Sequence, residues 1–215
     1  PASAANWGSG GESLDLLSGN LHYSYPILSA TGRGGYAAPL ILSYNSQNWV
    51  EQSGVVSHFG KGLGAGYGWR LQFGAVRAVM SGYNVLYYVY EDPTGAEYPL
   101  DVLSGTLWRP SQFAPVLEFD AVNNCLWFKD GSFWRMESLS ASGEEDAGTR
   151  YPTLMQDANG SQIYIRYRVG KNASWPNSSS RIEQIEDVLA LTGGSARFTY
   201  IFSYLGDGAL TEKLY

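Results

Sequence analysis

The sequence predicts an all-β fold of antiparallel hairpins forming a sandwich- or barrel-like sheet. Three observations carry that prediction. Apolar residues alternate with a period of two along most of the chain. Asp- and Gly-containing turn signals separate the alternating runs. The composition favours strands and tight turns, with 16 Tyr, 7 Trp and 26 Gly against only 16% charged residues.

The runs can be taken in order. Leu21, Tyr23 and Tyr25 share one strand face, with His22 and Ser24 opposite. Leu40, Leu42 and Tyr44 alternate with Ile41 and Ser43, and Trp69, Leu71 and Phe73 with Arg70 and Gln72. Tyr83, Val85, Tyr87 and Val89 make another face, as do Phe198, Tyr200, Phe202 and Tyr204. Such faces are buried against a second layer. Asp92-Pro93-Thr94-Gly95 suits a type I turn. Asp130-Gly131 reads as a two-residue hairpin loop, and Asp157-Ala158-Asn159-Gly160 as a further hairpin. Ala141–Gly148 and Lys171–Ser180 read as polar, mobile loops. Ile182, Ile185, Val188 and Leu189 are spaced for a helix, so the pattern alone leaves Ile182–Leu191 open between strand and helix.

With 215 residues, the chain fits a single all-β domain over 14–215 after an extended or disordered lead over 1–13. A chain of this length buries roughly 70% of its unfolded surface and folds without disulfides or metal. The net charge of −6 and the scattered basic residues argue against nucleic acid as a partner. No stretch approaches about 18 consecutive apolar residues, so no membrane-inserting helix is expected. Pro1 to Gly11 lacks the basic flank and apolar run of a signal peptide. Low charge and abundant Tyr, Asn, Ser and Gly fit a secreted or bacterial cell-surface protein.

The sequence offers no catalytic centre, and no cofactor is expected. Two His and one Cys are too few for a His/Cys zinc site unless carboxylates join. His22 lies between aromatics and His58 in a Gly-rich loop, and both read as structural or solvated. Cys125, beside Leu126, Trp127 and Phe128, reads as a buried structural thiol. The stretch Gly60-Lys61-Gly62-Leu63-Gly64-Ala65-Gly66-Tyr67-Gly68 fails as a phosphate loop. Val55 stands where a glycine is needed, Gly62 follows the lysine, and a strand pattern follows the stretch. A glycosidase would need paired carboxylates, for which Glu118 with Asp120, or Glu91 with Asp92, are the candidates. Both Asp residues sit at strand ends, where turns favour Asp in any case. Aromatic side chains that stack on sugar rings are the remaining signal. Trp175, Trp108 and Trp49 are the ligand-binding candidates, with Trp127 and Trp134 behind them. Trp175 leads because it lies in a polar loop beside Pro176 and Asn177.

Three segments resemble bacterial RHS/YD-repeat proteins at or before the start of the repeats. Gly19-Asn20-Leu21 through Tyr25-Pro26, Gly32-Arg33-Gly34-Gly35 and Leu40–Gln47 are similar to a "TGNL…PL…GRGG…LSYNS" pattern. Gly66-Tyr67-Gly68-Trp69-Arg70-Leu71 is similar to the family's "GxGW-x-L" strand. The Asp/Gly hairpins followed by aromatics, with Tyr151–Tyr167 and Arg181–Asp187, complete the resemblance over most of Leu14–Leu214. The spacing from Asp92 to Asp130, Asp157 and Asp187 is irregular, unlike that of regular repeats. The resemblance implies a non-enzymatic structural module within a spiral β-shell that encloses a toxin or presents a contact surface. Its partners would be neighbouring segments of a larger chain, and Ile182–Leu191 would be a strand. A carbohydrate-binding β module is the alternative, and a glycoside hydrolase a further one.

Overall fold

The computed structural model describes residues 4–5, 11–15, 19–46, 49–52, 55–58, 63, 65–111, 117–187, 200–206 and 212–214. Strands β1 (Ala4–Ala5), β2 (Glu12–Asp15), β3 (Asn20–Thr31) and β4 (Ala37–Asn45) form a meander. The hairpin β5 (Trp49–Gln52) and β6 (Val55–His58) stands apart from it. Strand β7 (Trp69–Gln72) then pairs with β4 and completes a first sheet of five strands. A second sheet begins with β8 (Ala75–Ser81), β9 (Asn84–Glu91) and β10 (Glu97–Leu100). After Asp101 the chain enters a third sheet through β11 (Val102–Ser104), β12 (Leu107–Arg109), β13 (Leu117–Asp120), β14 (Cys125–Phe128) and β15 (Phe133–Arg135). It returns to the second sheet as β16 (Ser138–Leu139) and β17 (Arg150–Tyr151). Strands β18 (Leu154–Gln156), β19 (Gln162–Tyr167), β20 (Ile182–Asp187) and β21 (Tyr200–Ile201) finish the third sheet at nine strands. The hairpin β22 (Tyr204–Gly206) and β23 (Glu212–Leu214) ends the described chain.

Every strand pair is antiparallel, as hairpin connections require. The described residues contain no α-helix, and no sheet closes into a barrel. The predicted all-β fold is therefore present as layered sheets. Ile182–Asp187 is strand, against its helical spacing, because it pairs with β19 along Ile165↔Ile185 and Tyr164↔Glu186. Residues 188–191 of that ambiguous segment lie outside the described residues, as do 1–3 and 6–10 of the lead.

The nine-stranded sheet supplies the core. Its register aligns Leu103, Trp108, Phe119, Leu126, Trp134, Met155 and Ile163 in one row across seven strands, β11 to β15, β18 and β19. Cross-strand partners share a face, so this row is a single apolar surface. The second sheet covers one half, where Val76, Tyr90 and Leu100 meet Leu117, Phe119, Leu126 and Met136. The first sheet covers the other, where Leu40, Leu71 and Phe73 meet Met155, Ile163, Ile165 and Ile185. Trp134 packs against both clusters and forms the seam. Each fully buried side chain of this size stabilises the fold by about 1.5–3 kcal/mol relative to exposure.

A β-bulge explains how the long β3 keeps one face inward. Tyr23↔Tyr44 and Tyr25↔Leu42 pair before it, and Leu28↔Leu40 and Ala30↔Ala38 after it, with the shift between Pro26 and Leu28. The extra residue switches β3 from odd to even positions while β4 keeps its parity. On β9 the alternation predicted from Tyr83 to Val89 names only one of two occupied faces, since Val89 is buried on it. Tyr88 and Tyr90 pack into the cluster beneath, and Tyr83 is fully exposed at the hairpin tip. Tyrosines occupy both parities of this strand, so the pattern does not choose between them.

The Asp/Gly loops share one geometry. Phe128 N–H donates to the Ser132 carbonyl and Gly131 N–H to that of Phe128; Asp157, Ser161 and Gly160 repeat the arrangement, as do Asp92, Ala96 and Gly95. These are three-residue loops with a left-handed glycine, Gly131 and Gly160 both at φ 84°, rather than the two-residue loop expected at Asp130-Gly131. The two polar loops are tied to each other and are not free. Arg181 makes a bidentate ion pair with Glu144 at 2.8 and 2.9 Å, and Lys171 N–H donates to Glu144 at 2.6 Å. Ser178 and Ser179 are completely buried beneath them.

Candidate functional site

The tryptophans proposed for sugar stacking separate in the fold. Trp108 is half-buried on the inner face, edge-on to Tyr88 at 5.4 Å. Trp134 is the core seam. Trp127 lies on the opposite face of the sheet, 42% exposed and tilted against Phe133 with ring centroids 4.9 Å apart. Trp175 is 55% exposed in the 171–180 loop, where its carbonyl accepts the Ser178 hydroxyl. Trp49 begins β5, and its side chain lies outside the described residues. Trp108 and Trp134 thus face the interior, while Trp127 and Trp175 face solvent.

The carboxylate pairs are occupied. Glu118 bonds Arg109 at 2.9 Å, and Asp120 caps its own turn through Val122 and Asn123 N–H. Those hydrogen bonds, led by the Asn123 side chain, hold Asp120 below the usual carboxylate range. Glu91 is buried against Arg70 and Gln72, and Asp92 accepts from Thr94 and Ala96 N–H. His22 Nε2 contacts the Thr94 carbonyl at 2.5 Å. The His58 side chain lies outside the described residues. Burial pushes the Cys125 thiol up to about 11, which makes it a poor nucleophile. Among the described residues no group of three His, Cys, Asp or Glu side chains is placed to hold a metal.

Two concave sites are lined by described residues. One is an apolar groove of about 260 Å³ lined by Tyr36, Pro39, Phe73, Pro93, Phe128 and Trp134, with Asp130 and Ser132 beside them. The other is a polar cavity of about 320 Å³ between β7, the β8–β10 sheet and the 140–149 loop. The alternation of β7 sends Leu71 and Phe73 into the core and Arg70 and Gln72 into this cavity. Arg70 and Gln72 both donate to Glu91 Oε1. Asp146 is 2% exposed, and its Oδ2 accepts the Tyr151 and Ser140 hydroxyls. Burial first, then the Asp146 charge, raises the Tyr151 phenol far above its ordinary range. Asp146 sits in Gly-Glu-Glu-Asp-Ala-Gly, which in the sequence looks like a solvated acidic turn and gives no sign of its burial.

The third feature is an edge. Strand β11 ends the nine-stranded sheet and is exposed along its length, with Val102 44% and Leu103 55% accessible. It carries no proline and no charge. A strand edge left this way presents unpaired N–H and C=O groups.

No family model matches the chain, and no curated protein matches it. Solved structures of toxin complexes do. The crystal structure of TcdB2-TccC3 matches over 86% of this chain and 10% of that chain, at 14% identity and a TM-score of 0.42. TcdB2-TccC3-Cdc42 matches over 77% and 9%, at 14% identity and 0.43. The Photorhabdus luminescens Tc holotoxin pore matches over 85% and 10%, at 15% identity and 0.42. The chain spans about a tenth of the length of each.

Proposed function

We propose that the chain is a non-enzymatic structural module of an RHS-like secreted or cell-surface protein. Its sheets are extended by neighbouring segments into a β-shell that encloses a cargo or presents a contact surface. The observation that carries this reading is the β11 edge, which among the described residues pairs on one side only and ends a nine-stranded antiparallel sheet. The nine strands follow chain order, interrupted only by the β16–β17 excursion. Such a meander can be prolonged by adding strands without rearranging those already paired.

Edge pairing predicts reversible self-association of the chain at rising concentration, weakened by Leu103→Lys, which places a charge on the edge. Sedimentation velocity across a concentration series reads both. A strictly monomeric wild type, with Leu103→Lys indistinguishable from it, would count against the module. Exposure of Trp175 favours a second reading, carbohydrate binding. Glycan-array binding abolished by Trp175→Ala supports that reading, and no binding to any glycan removes it.

A further inference from the structure

We propose that a strand added at β11 enters a slot roofed by the tip of the β8–β9 hairpin, and that it is an uncharged extended segment with apolar side chains turned toward that roof. This rests on the edge pairing proposed for the chain and adds what the edge selects. The course of β9 carries it. Tyr90 packs against Trp134 and Phe128 with ring centroids 6.3 and 6.2 Å away, and Tyr88 against Phe119 and Trp108 at 4.9 and 5.4 Å. Followed from Tyr90 back toward its hairpin turn, β9 therefore crosses β15, β14, β13 and β12 and heads for β11. The chain fixes where the two meet. Leu100 on β10 pairs with Tyr88, and only Asp101 separates it from Val102 on β11. Tyr83 to Val85 lie three to five residues beyond Tyr88, about 10–17 Å along the strand, whereas β11 lies one spacing of about 4.8 Å beyond β12. The close packing between the layers ends at Trp108, and the hairpin runs on past the edge by about the width of one strand.

The side chains agree with this geometry. Val76 of β8 belongs to the buried cluster, so Met80, four residues on, shares its inward face, and Met80 pairs with Val85. Met80 is 50% exposed, Val85 is half-buried, and Leu103 in the layer below is 55% exposed. Apolar side chains thus line one gap from both layers. The partner's chemistry follows. The free backbone groups of β11 call for a strand rather than a small apolar molecule. No charged residue occurs from Ala78 to Tyr90 or from Val102 to Trp108, so a charged side chain entering the gap would lose hydration without gaining a countercharge.

The test is an NMR titration of the 215-residue chain with acetyl-Lys-Thr-Val-Thr-Val-Thr-Lys-amide, at a protein concentration where sedimentation velocity finds the monomer. The comparator peptide carries Thr at both Val positions, which keeps shape and strand preference and exchanges a methyl for a hydroxyl. The Val peptide is expected to slow amide exchange at residues 102–104 and to shift the Met80 methyl and Val85 signals. It is expected to bind about tenfold tighter than the comparator. In the Met80→Gln/Val85→Thr variant that preference should fall below about threefold. Should the double variant fail to fold, Met80→Gln alone, at a half-exposed position, takes its place. Equal protection by both peptides without shifts at Met80 and Val85, or an unchanged preference in the variant, overturns the roofed slot and leaves edge pairing standing. No protection by either peptide also overturns the slot. If rising protein concentration still protects residues 102–104 in that case, the occupant is a second copy of the chain; if it does not, edge pairing falls as well.

Discussion

Leu103 and Phe119 stand in one cross-strand row, with Trp108 between them, yet Phe119 is fully buried and Leu103 is 55% exposed. Residue type and strand geometry do not separate them. The difference is the layer above: the second sheet covers Phe119 and leaves Leu103 open. A second contrast sharpens the first. Strands β10 and β11 are both sheet edges, and only Asp101 lies between them in sequence. The β10 edge carries Pro99 and the Glu97–Arg77 ion pair, both of which discourage strand addition. The β11 edge, Val-Leu-Ser, carries neither. Among the described residues the same chain thus guards one edge and leaves the next open.

The largest effect expected from this contrast is on stability. Phe119→Ala should cost about 3–5 kcal/mol in urea unfolding, and Leu103→Ala no more than about 0.5 kcal/mol. Similar losses at the two positions would break the comparison. Next comes Tyr151→Phe, which removes one of the two donors from buried Asp146 and should cost about 1–3 kcal/mol. Tyr164→Phe, whose hydroxyl donates to the half-buried Gln162 at 2.9 Å, should cost less than about 1 kcal/mol.

Alkali should act on the covered centre as well. Burial raises the phenols of Tyr151 and Tyr167 far above the ordinary range, whereas in the unfolded chain they ionise near pH ~10. Above that pH the folded protein binds more protons than the unfolded chain, so its stability falls as pH rises. Urea midpoints that stay constant from neutral pH to beyond that range would contradict this. The smallest perturbation is a chemical one. Cys125, buried on β14 with its thiol pushed up to about 11, should resist a disulfide reagent at mildly alkaline pH until the protein unfolds. A cysteine introduced by Leu103→Cys should react at once, and equal rates would again break the comparison.

Much of this fold is legible in the sequence, because a half-covered strand alternates. Leu40, Leu42 and Tyr44 on β4, and Leu71 and Phe73 leaving β7, declare their face correctly. The pattern fails where both faces of a strand are occupied. On β9, Tyr88 and Tyr90 enter the lower cluster, and Val89 and Glu91 are buried on the opposite parity. It fails again at Ile182–Asp187, where a register shift places Ile182 opposite Tyr167 and Ile185 opposite Ile165, so that two residues three apart share the buried face of a strand. The cavity was not legible at all. Arg70, Gln72 and Glu91 look like polar positions of ordinary strands, and only tertiary packing brings Asp146 to them across the 140–149 loop. The ring chemistry of Trp108 and Trp134 suits sugar stacking, but the row they occupy turns both inward.

Amide hydrogen exchange at low and high protein concentration tests the central claim most directly. If β11 is an open pairing edge, the amides of residues 102–104 exchange fast in the dilute protein and gain protection as concentration rises. Strands β13, β14 and β19 should stay slow throughout. Edge amides as slow as those of β14 in dilute solution, or equally fast at every concentration, would contradict it.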